Sequence, residues 1–188
     1  METILVSTLA VAIGEIGDKT QLLALILTLR FRQPLPIIAG ILVATLANHG
    51  LAGLAGHWIR ELLSPDMLRW VLGLSFIGVA IWALFPDRMD DDIEHRHAYG
   101  VFMVTLIMFF IAEIGDKTQV ATVMLAARFP DLLSVICGTT LGMLIADVPA
   151  VLLGKAASPQ LPLKAIRFLS AGIFLVLGVL ALVSGVEF

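Results

Sequence analysis

Cysteine and charge are what this chain is short of, and each shortage removes a class of protein. Cys137 is the single cysteine, so no intrachain disulfide forms and a thiolate metal cluster is excluded. Charged residues make up 14% of the 188 positions, where a soluble domain carries roughly 25%. No basic tract offers a surface to nucleic acid or anionic lipid. No nucleophile–base pair is apparent and nothing outside the apolar stretches leaves room for a soluble catalytic domain, so an enzyme is not expected. The start, Met1-Glu2, has no basic n-region, and its apolar run meets Glu15, Asp18 and Lys19. It reads as a retained helix of a prokaryotic inner-membrane protein and not as a cleaved signal.

What the chain has in abundance is apolar length. It is 59% hydrophobic, with a mean hydropathy of +0.99. Six stretches of spanning length run over 3–29, 35–57, 67–85, 99–127, 132–154 and 163–185, each near or above the ~20 residues that cross a hydrocarbon core. An all-α integral membrane protein of six transmembrane helices follows. Of the 15 acidic residues, five fall inside these stretches: Glu15, Asp18, Glu113, Asp116 and Asp147. Carboxylates at bilayer depth are expensive and are rarely kept without a cation or a pathway to serve.

Four of those five belong to a seven-residue string that occurs twice. Glu15-Ile16-Gly17-Asp18-Lys19-Thr20-Gln21 returns as Glu113-Ile114-Gly115-Asp116-Lys117-Thr118-Gln119, 98 positions later. The same offset relates Arg30-Phe31 to Arg128-Phe129, Gly40 to Gly138, Gly56 to Gly154, Arg69 to Arg167 and Phe76 to Phe174. The chain therefore divides into a three-helix repeat over 1–85, an acidic linker over 86–98 and a second three-helix repeat over 99–188. An odd number of spans per repeat turns the second copy over, the inverted arrangement of many secondary transporters. Basic residues put the central linker in the cytoplasm and both termini outside. Arg30, Arg32, Arg88, Arg96, Lys155, Lys164 and Arg167 lie on one side, against Arg60, Arg69 and Arg128 on the other. The linker, with its Asp run and His95 and His97, reads as a solvated connection.

On a continuous helix, residues three and four apart share a face, so Glu15 and Asp18, and likewise Glu113 and Asp116, are expected to point together. Gly17 and Gly115 between them weaken the helix. The flanking apolar runs are each too short to span, which places a helix break near the midplane of helices 1 and 4. The second helix of each repeat adds Asn48, His49 and Asp147 at similar depth, and the offset pairs His49 with Asp147. Carboxylates, the amide oxygens of Gln21 and Gln119 and the hydroxyls of Thr20 and Thr118 form a hard oxygen set, suited to calcium, manganese or magnesium. Lys19 and Lys117 stand four residues after a glutamate, where an intrahelical ion pair is the favoured role; a surrogate cation for the empty site is the alternative. Four motif carboxylates and two lysines carry a formal −2, which one divalent cation matches. Without it the clustered acids favour proton uptake, so metal and protons compete for the same oxygens.

Two copies of Glu-x-Gly-Asp-(Lys/Arg)-(Thr/Ser), on the first and fourth of six membrane helices, resemble the signature of the Golgi-type calcium/manganese–proton antiporter family with its bacterial manganese exporters. The resemblance covers nearly the whole chain. It implies export of Mn²⁺, and of Ca²⁺ as a further candidate, in exchange for protons. Its cation site would be formed by Glu15, Asp18, Glu113 and Asp116. No prosthetic group is implied; the partners are the metal ion, protons and the lipid bilayer, with a homo-oligomer compatible. A cation channel lined by the same acids, and a non-transporting membrane scaffold, are the competing readings.

Overall fold

The computed structural model describes residues 1–85, 100–153 and 163–184. The expected linker over 86–98, with His95 and His97, and the basic residues Arg88, Arg96 and Lys155 lie outside the described residues. Within them every regular element is an α-helix, eight in all: α1 (Glu2–Glu15), α2 (Lys19–Phe31), α3 (Pro34–Leu62), α4 (Pro65–Ala83), α5 (Val101–Glu113), α6 (Lys117–Arg128), α7 (Leu132–Leu153) and α8 (Leu163–Ser184). The stretches expected over 3–29 and 99–127 are thus each two helices, α1 with α2 and α5 with α6, parted at the repeated string. Three helices, α3, α4 and α7, are long and apolar enough to cross a membrane.

Local chemistry fixes the helix ends. Proline leads α3 and α4, where its missing N–H would have no helical partner anyway. Ser64 accepts from the Met67 N–H to cap α4, and Asp131 accepts from the Ser134 N–H at 3.1 Å to cap α7. Arg32 ends α2 in the left-handed region at φ 54°.

Packing follows the repeat closely. α3 lies against α5, and α7 lies against α1. Each contact is closed by a glycine: a Cβ on Gly40 would come within 2.7 Å of Thr105, and one on Gly138 within 2.8 Å of Ser7. Phe76 of α4 stacks on Phe174 of α8, its own counterpart, with ring centroids 6.5 Å apart. Two apolar clusters result. One gathers Phe76, Leu125 and Phe174; the other gathers Leu27, Ile41, Phe109 and Val151. The repeat is not followed everywhere: α4 packs on α6 and α8 on α1. Outward positions stay apolar, among them Leu5, Leu51, Leu74, Leu152 and Val176, as lipid-facing surfaces do. Trp58, Trp70 and Trp82 also face outward.

Candidate cation site

The two copies of the repeated string build the same turn. Ile16 and Ile114 take φ −60° and −61° with ψ 121° in both, and Gly17 and Gly115 follow at φ 80° and 74°. The Asp18 N–H donates to the Glu15 carbonyl at 3.0 Å, and the Asp116 N–H to the Glu113 carbonyl at 3.1 Å. These are the marks of a type II turn, whose third residue needs the positive φ that glycine supplies. Asp18 and Asp116 then cap α2 and α6. The helix break expected at Gly17 and Gly115 is therefore present in both copies.

The break overturns two expectations. Glu15 ends α1 while Asp18 starts α2, so their approach is the work of the turn and not of a shared helical face. For the same reason Lys19 and Lys117 are not one helical turn beyond a glutamate, and the intrahelical Glu–Lys pairs do not form. Each lysine instead reaches the aspartate of the other copy: Lys19 Nζ lies 2.8 Å from Asp116 Oδ1, and Lys117 Nζ lies 2.8 Å from Asp18 Oδ2. The exchange is reciprocal, as at an isologous interface. It draws the start of α2 and the start of α6 together, and both helix N-termini favour negative charge beside them.

Around these pairs the acids gather. Glu15, Glu113, Asp116 and Asp147 are wholly buried and Asp18 nearly so. Glu15, Asp18 and Asp116 each offer a carboxylate oxygen within 4.8 Å of the others. Asp147 lies within electrostatic reach of Asp18, Glu15 and Glu113. The Thr20 hydroxyl donates to Glu15 Oε1; the Thr118 hydroxyl stands 3.3 Å from both Glu113 Oε2 and Asp116 Oδ2. Among the described residues, Glu15 Oε2, Glu113 Oε1 and both oxygens of Asp147 are buried without a hydrogen-bond donor. Buried polar atoms are ordinarily satisfied, so these oxygens are suited to a cation or a proton.

The glutamines serve the turns. Gln21 Oε1 accepts from the Gly17 N–H at 2.9 Å, and Gln119 Oε1 from the Gly115 N–H at 2.7 Å. The amide oxygens expected as ligands are thus engaged in clasping the break. Gln21 also donates to the Ala146 carbonyl at 2.9 Å, and Asn48 to the Phe110 carbonyl at 3.1 Å. His49 is buried, and neither ring nitrogen has a hydrogen-bond partner among the described residues. Asp147 stands among the acids, whereas its counterpart on α3 is the imidazole of His49, so the halves are alike without being identical. One residue escaped the reading of the sequence. Pro149, inside α7 two positions beyond Asp147, has no N–H for the Ile145 carbonyl and bends helices that contain it; its signal was the proline itself within an apolar stretch.

The model of a family described as "Divalent cation/proton antiporter GDT1" matches residues 3–91 and 101–187. A Vibrio cholerae protein named "Putative manganese exporter" is 52% identical over 178 residues, covering 94% of this chain and 88% of its own length. An Arabidopsis thaliana protein, GDT1-like protein 5, is 24% identical over 213 residues, covering 93% and 92%. A GDT1-like protein of Synechocystis is 24% identical over 202 residues, covering 92% and 93%. No solved structure matches the chain.

Proposed function

This chain belongs to the GDT1 family of divalent cation/proton antiporters, and from that premise we propose that it exports Mn²⁺, with Ca²⁺ as a second cargo, from a prokaryotic cytoplasm in exchange for protons. Six spans in two inverted halves carry the transport, α1 with α2 and α5 with α6 each forming one broken span. Both termini lie outside the inner membrane and the linker inside. The cation is held by Glu15, Asp18, Glu113 and Asp116, with Thr20 and Thr118 orienting the glutamates, and Gln21 and Gln119 holding the turns. Asn48, His49 and Asp147 support the site from α3 and α7.

The observation that carries this reading is the gathering of five buried carboxylates from both halves, with oxygens of Glu15, Glu113 and Asp147 that no donor among the described residues satisfies. At the turns the ammonium groups of Lys19 and Lys117 stand against Asp116 and Asp18. An all-oxygen set suits a hard cation, and the same oxygens accept protons when the cation leaves. Competition for one set of atoms is enough to couple the two fluxes.

Purified protein in liposomes under an imposed pH gradient tests it, with Mn²⁺, Ca²⁺ and Mg²⁺ uptake followed beside internal pH. Metal movement should run against proton flux and vanish in Asp116→Asn. Glu15→Gln and Glu113→Gln should each abolish it as well, since one shared site needs both copies. Metal flux indifferent to the proton gradient would mean a channel. Folded protein without flux would mean a scaffold.

A further inference from the structure

The cation site as it stands contains a conflict. Asp116 is one of the three carboxylates whose oxygens converge to within 4.8 Å, and it is also the partner of Lys19, at 2.8 Å. Its Oδ1 cannot accept the ammonium and a metal ion in the same place at once. A divalent ion at equal distance attracts a carboxylate twice as strongly as an ammonium does, so the arriving cation displaces the lysine. The lysine then needs somewhere to go. Glu113 Oε1 is buried without a hydrogen-bond donor among the described residues, and the Thr118 hydroxyl, 3.3 Å from both Glu113 Oε2 and Asp116 Oδ2, sets the two carboxylates side by side. A lysine's compact charge on a four-carbon stem can make that move with its backbone fixed.

The two lysines are not equivalent in this respect. The Lys19 side chain is 23% exposed and that of Lys117 is 7%. Lys117 shares a narrow crevice with Ala83 of α4 and with Arg167 and Ser170 of α8. α8 is itself tied to α1 by the Ser170 hydroxyl, which donates to the Ile13 carbonyl at 2.8 Å. Lys117 is hemmed in where Lys19 is not.

Resting on the reading that the motif carboxylates hold the exported ion, we propose that Lys19 is the site's resident counter-cation, which the arriving divalent ion displaces from Asp116 onto Glu113 Oε1, leaving Glu113 Oε2 to the ion, while Lys117 stays on Asp18. The empty site thereby keeps a positive charge within it on the return step, and the cargo must out-compete an internal rival. No bond is made or broken; one ion pair is exchanged for another.

The test is direct binding of Mn²⁺ alone to detergent-purified protein, read from loss of the six-line spin-resonance signal of free Mn²⁺. Lys19→Gln removes the rival and should tighten binding at least about tenfold, whereas Lys19→Arg should stay within about threefold of the wild type. Lys117→Gln, which removes a neighbouring charge but no rival for the ion's place, should tighten binding by clearly less than Lys19→Gln. Lys19→Cys in a Cys137→Ser background guards against a misfolded glutamine variant. Aminoethylation of its thiol rebuilds the ammonium and should return the affinity to the wild-type value, and methylation should leave it tight. Binding in Lys19→Gln that is unchanged or weaker, with the wild type binding normally, would overturn the displacement alone. Failure of the folded wild type and of every variant to bind Mn²⁺ would overturn the cation site, and the displacement with it.

Discussion

Two glycines set the geometry on which the four acids of the repeated string depend. At Gly17 and Gly115 the chain takes φ 80° and 74°, a region where an L side chain costs roughly 1–2 kcal/mol. Gly17→Ala and Gly115→Ala should each lower stability by about that amount, read as an earlier thermal unfolding in detergent, and should misplace the aspartate that caps the next helix. Unchanged unfolding in either variant would show that the turn tolerates a side chain. The acids and these glycines were legible from sequence, because a carboxylate in an apolar stretch is conspicuous and a glycine beside it is a break signal. The partners of the lysines were not. Counting four residues from Glu15 to Lys19 presumes one continuous helix, and the break that the glycine makes cancels the count. The duties of Gln21 and Gln119 were hidden for a similar reason, since their acceptor role is toward a backbone N–H that only the turn exposes.

The helices themselves were largely legible, with ends within a few residues of the apolar stretches except where the turn divides them. The division was legible as well, because a polar string with a glycine in it interrupts two apolar runs that are each too short to span. What caps a helix adds a further, pH-dependent contribution. Asp131, fully exposed, accepts from Ser134 at the start of α7, and these hydrogen bonds hold its carboxyl below the usual carboxylate range. A carboxyl depressed on folding stabilises above its unfolded-state pKa, and that contribution is lost as pH falls through the folded value. Asp131→Asn keeps a competent cap but lacks the charge. The difference in unfolding temperature between wild type and Asp131→Asn should therefore be present at neutral pH and shrink as the medium is acidified below about pH 4. A difference that stays constant with pH would remove the charge from the explanation.

Across the whole molecule the two halves contact each other through equivalent positions: Phe76 on Phe174, Lys19 on Asp116 beside Lys117 on Asp18. Reciprocal contacts of this kind are what a two-fold relation between repeats produces, and the inversion we propose makes a plain demand on sidedness. In a Cys137→Ser background, Glu2→Cys should react with a membrane-impermeant thiol reagent added outside intact cells. Asp91→Cys, in the linker, should react only after the cytoplasm is opened. Both labelling from one side would refute the proposed topology. The 98-residue offset made the repeat legible, but not the departures from it, in which α4 leans on α6 and α8 on α1, because side-chain identity at a single position does not encode which neighbour covers it. The exchanged ion pairs also bear on how the protein is made. A ribosome delivers the first half before Lys117 exists, so Asp18 enters the bilayer ahead of the ammonium that will stand beside it. Folding of the first half is thus completed by the last to be synthesised, and a product truncated between the halves is a natural substrate for membrane quality control.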